Sequence, residues 1–216
     1  MTKEEGFNLL KQNLQNQNLI KHCLAVEAIM QALARHFGEG EEDKSSSSPF
    51  AITREDEEKW GLTGLLHDID YEKVVNEAKA SSPPFAGARV KYDLSQHSLV
   101  GAKMLEDLGI DKSICQAVKV HNEAHGIPPK TLLEKALFVT DPLTGLIVAA
   151  TLVLPSKKIA DLTPENVLNR FKEKAFARGA NREIIKKSEE LLNLKLEEFV
   201  KIGLEAMQKI AGELGL

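Results

Sequence analysis

The sequence predicts an all-α protein, and three observations carry that prediction. Apolar residues recur at three- and four-residue spacing along most of the 216 residues. No stretch alternates apolar and polar side chains with β-branched enrichment, so no sizeable sheet is expected. Helix-start signals recur as well. Thr53-Arg54-Glu55-Asp56 places an acid three residues after a threonine, and Thr163-Pro164-Glu165 puts proline and an acid in a first turn.

Taken in order, residues 3–15 read as a polar helical lead-in with Phe7, Leu10 and Leu14 on one side. Leu19, Cys23, Val26, Ile29, Met30 and Leu33 then form one stripe, with His22 on the same face, and that helix ends near Phe37-Gly38. Residues 39–49 are charged, serine-rich and without period, which predicts a mobile loop. Thr53 opens a helix that runs through Trp60 and Leu65-Leu66 to His67; 72–80 is a short helix and 81–87, with two prolines and a glycine, a loop. Asp93 or Ser95 caps a helix carrying His97, Gly101, Met104 and Leu108 on one face, stopped by Gly109. Asp111 begins another, with Ile114, Ala117, Val118 and His121 inward. Thr131 to about Val153 is strongly apolar, and Pro142 is expected to kink it or to start a second helix, in which case Asp141 reads as an N-cap. Helices over 164–177, 181–193 and 195–213 complete the chain.

Composition narrows the function. A net charge of −4 argues against a general grip on duplex nucleic acid, which wants a basic face. The N-terminus Met1-Thr2-Lys3-Glu4-Glu5 carries acids where a signal peptide needs bases, and the longest near-apolar run, Leu143–Leu154, is too short to span a bilayer. With two cysteines, both in helical patterns, no disulfide framework is expected, so a cytoplasmic protein with no membrane contact is the expectation. Small-molecule or protein partners remain, and the sequence allows an oligomer.

The chemistry lies in the histidines and aspartates. Six histidines and nine aspartates make a His-Asp dipeptide such as His67-Asp68 a weak signal alone, since chance supplies roughly a quarter of one. Its company raises its weight. His22, His67, His97 and His121 each fall on the apolar face of a predicted helix, and Asp141 lies within an apolar run. A lone histidine there is usually a hydrogen-bonded core residue, but six such groups need a common explanation. A buried carboxylate needs a partner, and mixed imidazole and carboxylate sites hold Fe, Mn, Co, Ni or Zn.

The order His22, His67-Asp68, Asp141 resembles the signature of the HD-domain superfamily. Leu65-Leu66-His67-Asp68-Ile69-Asp70 looks like its central motif, and Gln96-His97-Ser98-Leu99-Val100-Gly101-Ala102 like the segment that supplies an extra histidine. With His97 and His121 the pattern is similar to the two-metal branch. The resemblance covers about residues 15–155 and implies an HD-domain helical bundle there; 156–216 lies outside it and reads, from its own caps and apolar stripes, as a C-terminal helical extension packed on the bundle. The resemblance also implies two divalent metal ions: His22, His67, Asp68 and Asp141 holding one, and Asp68 bridging to a second held by His97 and His121. Such a pair binds a hydroxide and polarises a phosphoryl oxygen, so the implied activity is metal-dependent hydrolysis of a small phosphate ester, nucleotide-like. Asp68 is then the central catalytic residue. Asp70 and Glu123 are candidates to orient a ligand or move a proton, and His125, four after His121, is a weaker candidate near the second ion.

Substrate recognition is carried by fewer signals. A phosphate ester needs cationic partners; Lys91, ahead of the His97 segment, and Arg178, in the C-terminal part, are the candidates, with Lys157-Lys158 and Arg182 as further cations. Two rival readings accompany the hydrolase. An HD-type di-iron oxygenase uses a very similar ligand set, and a non-catalytic module would bind metal or ligand without turnover.

Overall fold

The computed structural model describes residues 1–39, 53–80 and 94–216, and among them there are helices and no strands. Helix α1 (Lys3–Asn13) starts from a reciprocal capping box between Thr2 and Glu5. Helix α2 (Gln17–Glu39) is the centre of the molecule: Cys23, Val26, Ile29, Met30 and Leu33 are fully buried along it. The Glu72 carboxylate accepts from the Gln15 and Asn16 amides just before α2, which anchors the start of the helix that carries His22.

Helix α3 (Arg54–Leu66) opens at the anticipated Thr53–Asp56 capping box and packs along α2. The approach is close. A β-carbon at Gly64 would fall 2.8 Å from the Glu27 amide nitrogen and 2.9 Å from the Val26 carbonyl carbon, and backbone atoms cannot step aside. Helix α4 (Tyr71–Ala80) follows a tight turn through His67–Asp70. Helices α5 (Leu99–Asp107) and α6 (Lys112–Val120) pack against each other, and α6 also contacts α3 and α7 (Leu132–Leu152).

Two expectations are corrected here. His97 does not lie on a helix face; α5 begins two residues later, because Ser98 takes a positive φ of 72° that no helix accommodates. And α7 runs unbroken through Pro142, so Asp141 is a mid-helix residue and not an N-cap. Proline removes one helical donor, leaving the Phe138 carbonyl without its usual partner. Phe138 and Pro142 both line an open cleft. By length and composition α7 is apolar enough to cross a membrane, but 61% of its most apolar window is buried inside the protein.

The C-terminal part is α8 (Pro164–Lys172), α9 (Arg182–Lys186), α10 (Ser188–Leu192), α11 (Leu196–Lys209) and α12 (Ala211–Leu214). Its first two helices are shorter than the periodicity predicts. The Arg182 guanidinium draws in the carbonyls of Phe176, Ala177 and Ala180, which folds 173–181 into turns instead of helix. Phe199, Val200 and Met207 of α11 bury against α2 and α7, and one continuous core spans both parts of the chain. The predicted loops at 40–49 and 81–87 lie outside the described residues, as do Lys91 and Asp93.

Gly64→Ala should drive α3 off α2. Overpacking of this kind costs about 1–3 kcal/mol, so a thermal melt should show a loss of several degrees; an unchanged melting temperature would mean that the helices have slack at this crossing.

Candidate metal centre

Four histidines and two aspartates from five segments meet at one point. His22 comes from α2, His67 and Asp68 from the end of α3, His97 from the turn before α5, His121 from the end of α6 and Asp141 from α7. His22 Nε2 lies 3.2 Å from His67 Nε2 and 3.1 Å from Asp141 Oδ1. Asp68 presents Oδ2 to His22 at 3.6 Å, and Oδ1 to His97 at 3.2 Å, His67 at 3.4 Å and His121 at 3.5 Å. Donors bound at 2.0–2.2 Å to one ion and set at right angles stand about 3 Å apart. These separations have that scale.

The outer nitrogens decide what the inner ones are. His67 Nδ1 faces the Gly64 carbonyl at 2.8 Å and His121 Nδ1 the Val118 carbonyl at 2.6 Å. His97 Nδ1 lies 2.9 Å from Asp70 Oδ1. Carbonyls and carboxylates only accept, so all three Nδ1 atoms carry the proton. Thr144 donates its hydroxyl hydrogen to the Asp141 carbonyl at 2.8 Å, and so accepts from His22 Nδ1 at 2.9 Å. In the neutral form that binds a metal, each imidazole therefore turns a bare Nε2 lone pair inward, and the Nε2 atoms of His22 and His67 stand 3.2 Å apart. Lone pairs at that distance repel unless positive charge lies between them, and the donor set suits a divalent ion held with fixed outer partners.

Electrostatics agree. Burial alone would raise Asp68, but His67, His121, His97 and His22 outweigh it and hold the carboxyl well below the usual range. Asp141 is likewise lowered: burial opposes, and His22 and His67 prevail. For His97, burial lowers the pKa, but hydrogen bonds and charge from Asp68 and Asp70 raise it to about 10. That field is a demand for positive charge at the ring, which a divalent ion meets as well as a proton does.

Asp70 is placed behind the cluster and not at its reacting face. It is fully buried, with Oδ1 on His97 and Oδ2 accepting from the Ser98 and Gly101 amides at 2.9 and 2.8 Å. It therefore caps α5 from outside and fixes His97 in one stroke. A β-carbon at Gly101 would sit 3.1 Å from the Asp70 carboxylate, so glycine permits the approach. Of the two roles the sequence allowed Asp70, orienting a ligand or moving a proton, this placement serves the first, since the side chain is buried and does not line the cleft. His125 is no ligand either, since its Nε2 contacts the His97 carbonyl at 2.7 Å and braces that turn. His36 pairs with Glu198 at 3.8 Å and joins none of the ligand groups.

A cleft of about 370 Å³ opens onto the cluster. Tyr71, Asn122 and Glu123 line it beside the ligands, Leu19, Phe138, Pro142 and Ile184 form its apolar wall, and Gly179 and Asn181 close one side. Asn181 Nδ2 donates to both Glu123 oxygens at 2.9 and 2.8 Å. Arg178 is exposed and does not line this cleft; it lines the neighbouring cavity. Sequence reading missed Thr144 and Tyr71. Thr144 stands three residues after Asp141 and Tyr71 directly follows Asp70, spacings that shared a face or a turn with recognised residues; Asn181 falls in the 176–182 segment that the sequence offered for its cations, not for its amide.

The family model described as HD domain matches residues 19–146. That is more than half of the chain. The protein belongs to the HD domain family. The match takes in all six residues of the cluster and ends before the segment that supplies Gly179, Asn181 and Ile184. HD domains are generally metal-dependent phosphohydrolases, and this cluster contains three overlapping groups able to hold an ion: His22, His67 and Asp68; His67, His121 and Asp141; Asp68, His97 and His121. An uncharacterized protein of Methanocaldococcus jannaschii is similar to this chain, 28% identical over 157 residues, covering 66% of this chain and 75% of its own length. No solved structure matches significantly.

Two outcomes follow for the purified HD protein. Asp70→Ala should weaken metal binding about 10–100-fold, as losing an outer partner does, and elemental analysis after dialysis against a weak chelator reads it. Because His97 stays protonated in the metal-free protein up to about pH 10, binding must displace that proton. Apparent affinity should thus rise with pH, by up to about tenfold per unit through the neutral range; a flat profile would show that His97 gives up no proton.

Proposed function

We propose that the protein hydrolyses a small phosphate ester of nucleotide type, using two divalent ions drawn from Mn, Fe, Co, Ni and Zn. The observation that carries this reading is Asp68 itself, with Oδ2 toward His22 and Oδ1 facing His97, His67 and His121 together. One carboxylate facing two histidine groups is suited to bridging. His22, His67 and Asp141 serve one position, and His97 and His121 the other. When bound, such a pair lowers the pKa of water and neutralises charge that builds on a phosphoryl group.

The protein's own work is positioning and proton control. Gly64, Val118, Asp70 and Thr144 hold the four rings as Nδ1–H tautomers, so no ligand has to reorganise on binding. Tyr71 lines the cleft with its ring edge-on to His97, 5.1 Å between centroids. Burial, with Asp68 and Asp141, raises its pKa, which keeps the phenol protonated as a donor to a phosphoryl oxygen. Glu123 sits exposed on the cleft wall, held by Asn181, and is assigned as the proton carrier between cleft and solvent. The apolar wall accepts the organic part of the ester. At about 370 Å³ the cleft suits a small molecule.

The test is turnover of a nucleotide and phosphate-ester panel with added Mn or Co, run under argon. Activity should appear without oxygen, and Asp68→Ala should lower kcat/KM by about 10²–10³-fold or more, the scale of losing a main source of transition-state charge stabilisation. Protein that holds two equivalents of metal yet turns over nothing on the panel would defeat the reading. Oxygen consumption with iron would replace it by the oxygenase.

A further inference from the structure

A second cavity, of about 700 Å³, adjoins the metal cleft, and the two share Glu123, Gly179 and Asn181. Its wall carries Lys172, Lys174, Arg178, Arg182 and Lys186 against only two carboxylates, Glu123 and Glu183, in a chain whose net charge is −4. The two acids are already engaged, Glu123 with Asn181 and Glu183 with Lys186 at 3.4 Å. Arg182 is spent on backbone carbonyls and shapes the 176–180 loop. Lys172, Lys174 and Arg178 have no ion-pair partner among the described residues.

The metal cleft shows the opposite pattern. No lysine or arginine lines it among the described residues, so a phosphoryl group there meets imidazoles, carboxylates, Tyr71 and the ions they hold. Substrate charge beyond the reacting phosphoryl group would find nothing to neutralise it in that cleft. It would find three uncompensated cations across the rim at 179–181. A concave wall with an excess of positive charge also concentrates anions before contact.

We propose that the 172–186 cavity is an anion subsite that takes a further phosphoryl group, so that the substrate is a di- or triphosphate ester with its reacting phosphoryl group in the metal cleft. The assignment rests on the phosphohydrolase reading above. It deepens that reading by placing specificity in residues beyond the 19–146 family match.

The test is calorimetric titration of the metal-loaded protein with inorganic phosphate and, separately, inorganic tripolyphosphate, with metal content verified afterwards. Wild type should prefer tripolyphosphate by about tenfold or more, and the preference should shrink as salt rises. The triple variant Lys172→Gln, Lys174→Gln and Arg178→Gln should lose most of it; single Arg178→Gln and Lys174→Gln variants, at exposed positions, answer the same question if the triple variant folds poorly. A preference that survives the substitutions overturns the subsite even if esters are hydrolysed. A preference lost in the variants, with no ester turned over by wild type, keeps the subsite as an anion site and discards the hydrolase.

Discussion

A carboxylate buried among four imidazoles sets the terms for the rest of this structure. Asp68 is 6% exposed and faces four ring nitrogens, whose outer partners are the Gly64 and Val118 carbonyls and the Asp70 and Thr144 side chains. An ionised acid in that position is tolerable only beside positive charge. Helices α2, α3, α6 and α7 and the turn before α5 each bring one group to that point. Their crossings, including the Gly64 contact with the α2 backbone, are therefore conditions of the site as much as of the core.

Much of this was legible in the sequence. The all-α class followed from period and caps, and the capping box at Thr53 and the cap with first-turn proline at Thr163 sit where the sequence predicted them. The six cluster residues were recognisable because ligand-type side chains on apolar faces call for a common cause. What escaped was tertiary. The place of His97 depends on Ser98, whose strained φ is held by a bond to Asp70, 28 residues earlier. Such backbone strain costs of order 1–3 kcal/mol and persists only where surroundings enforce it. Pro142 reads as a helix break by local rules, yet the packing of α7 across the core overrides one lost hydrogen bond. The interruption at 173–181 comes from a guanidinium reaching back to three carbonyls, a contact no periodicity encodes. The 176–182 segment drew notice for its cations, and the part Asn181 plays in it shows only in the bonds to Glu123.

The C-terminal part changes in standing once the cleft is in view. By sequence it was an appendage; in the structure it supplies Gly179, Asn181 and Ile184 to the cleft wall and shares one core with α2 and α7. Asn181 ties it to Glu123, two residues after the ligand His121, so the loop that follows the metal cluster is held from outside the matched domain. Division of labour results: the bundle carries the candidate metal ligands, and the later helices line the cleft in front of them.

Helices α3 and α6 finish in the same way. Each ends on a histidine whose Nδ1 proton goes to the carbonyl three residues back, one of the acceptors that a last turn leaves open. The candidate ligand is thus also the helix terminator, and the partly negative end of each helix favours positive charge at the cluster. Length then matters in these two helices in a way that composition does not. Inserting or deleting one residue upstream of His67 or His121 would swing the ring about 100° around the axis, losing stop signal and ligand together. Residue substitutions along α3 and α6 are a matter of degree, whereas a change of reading length is all-or-none.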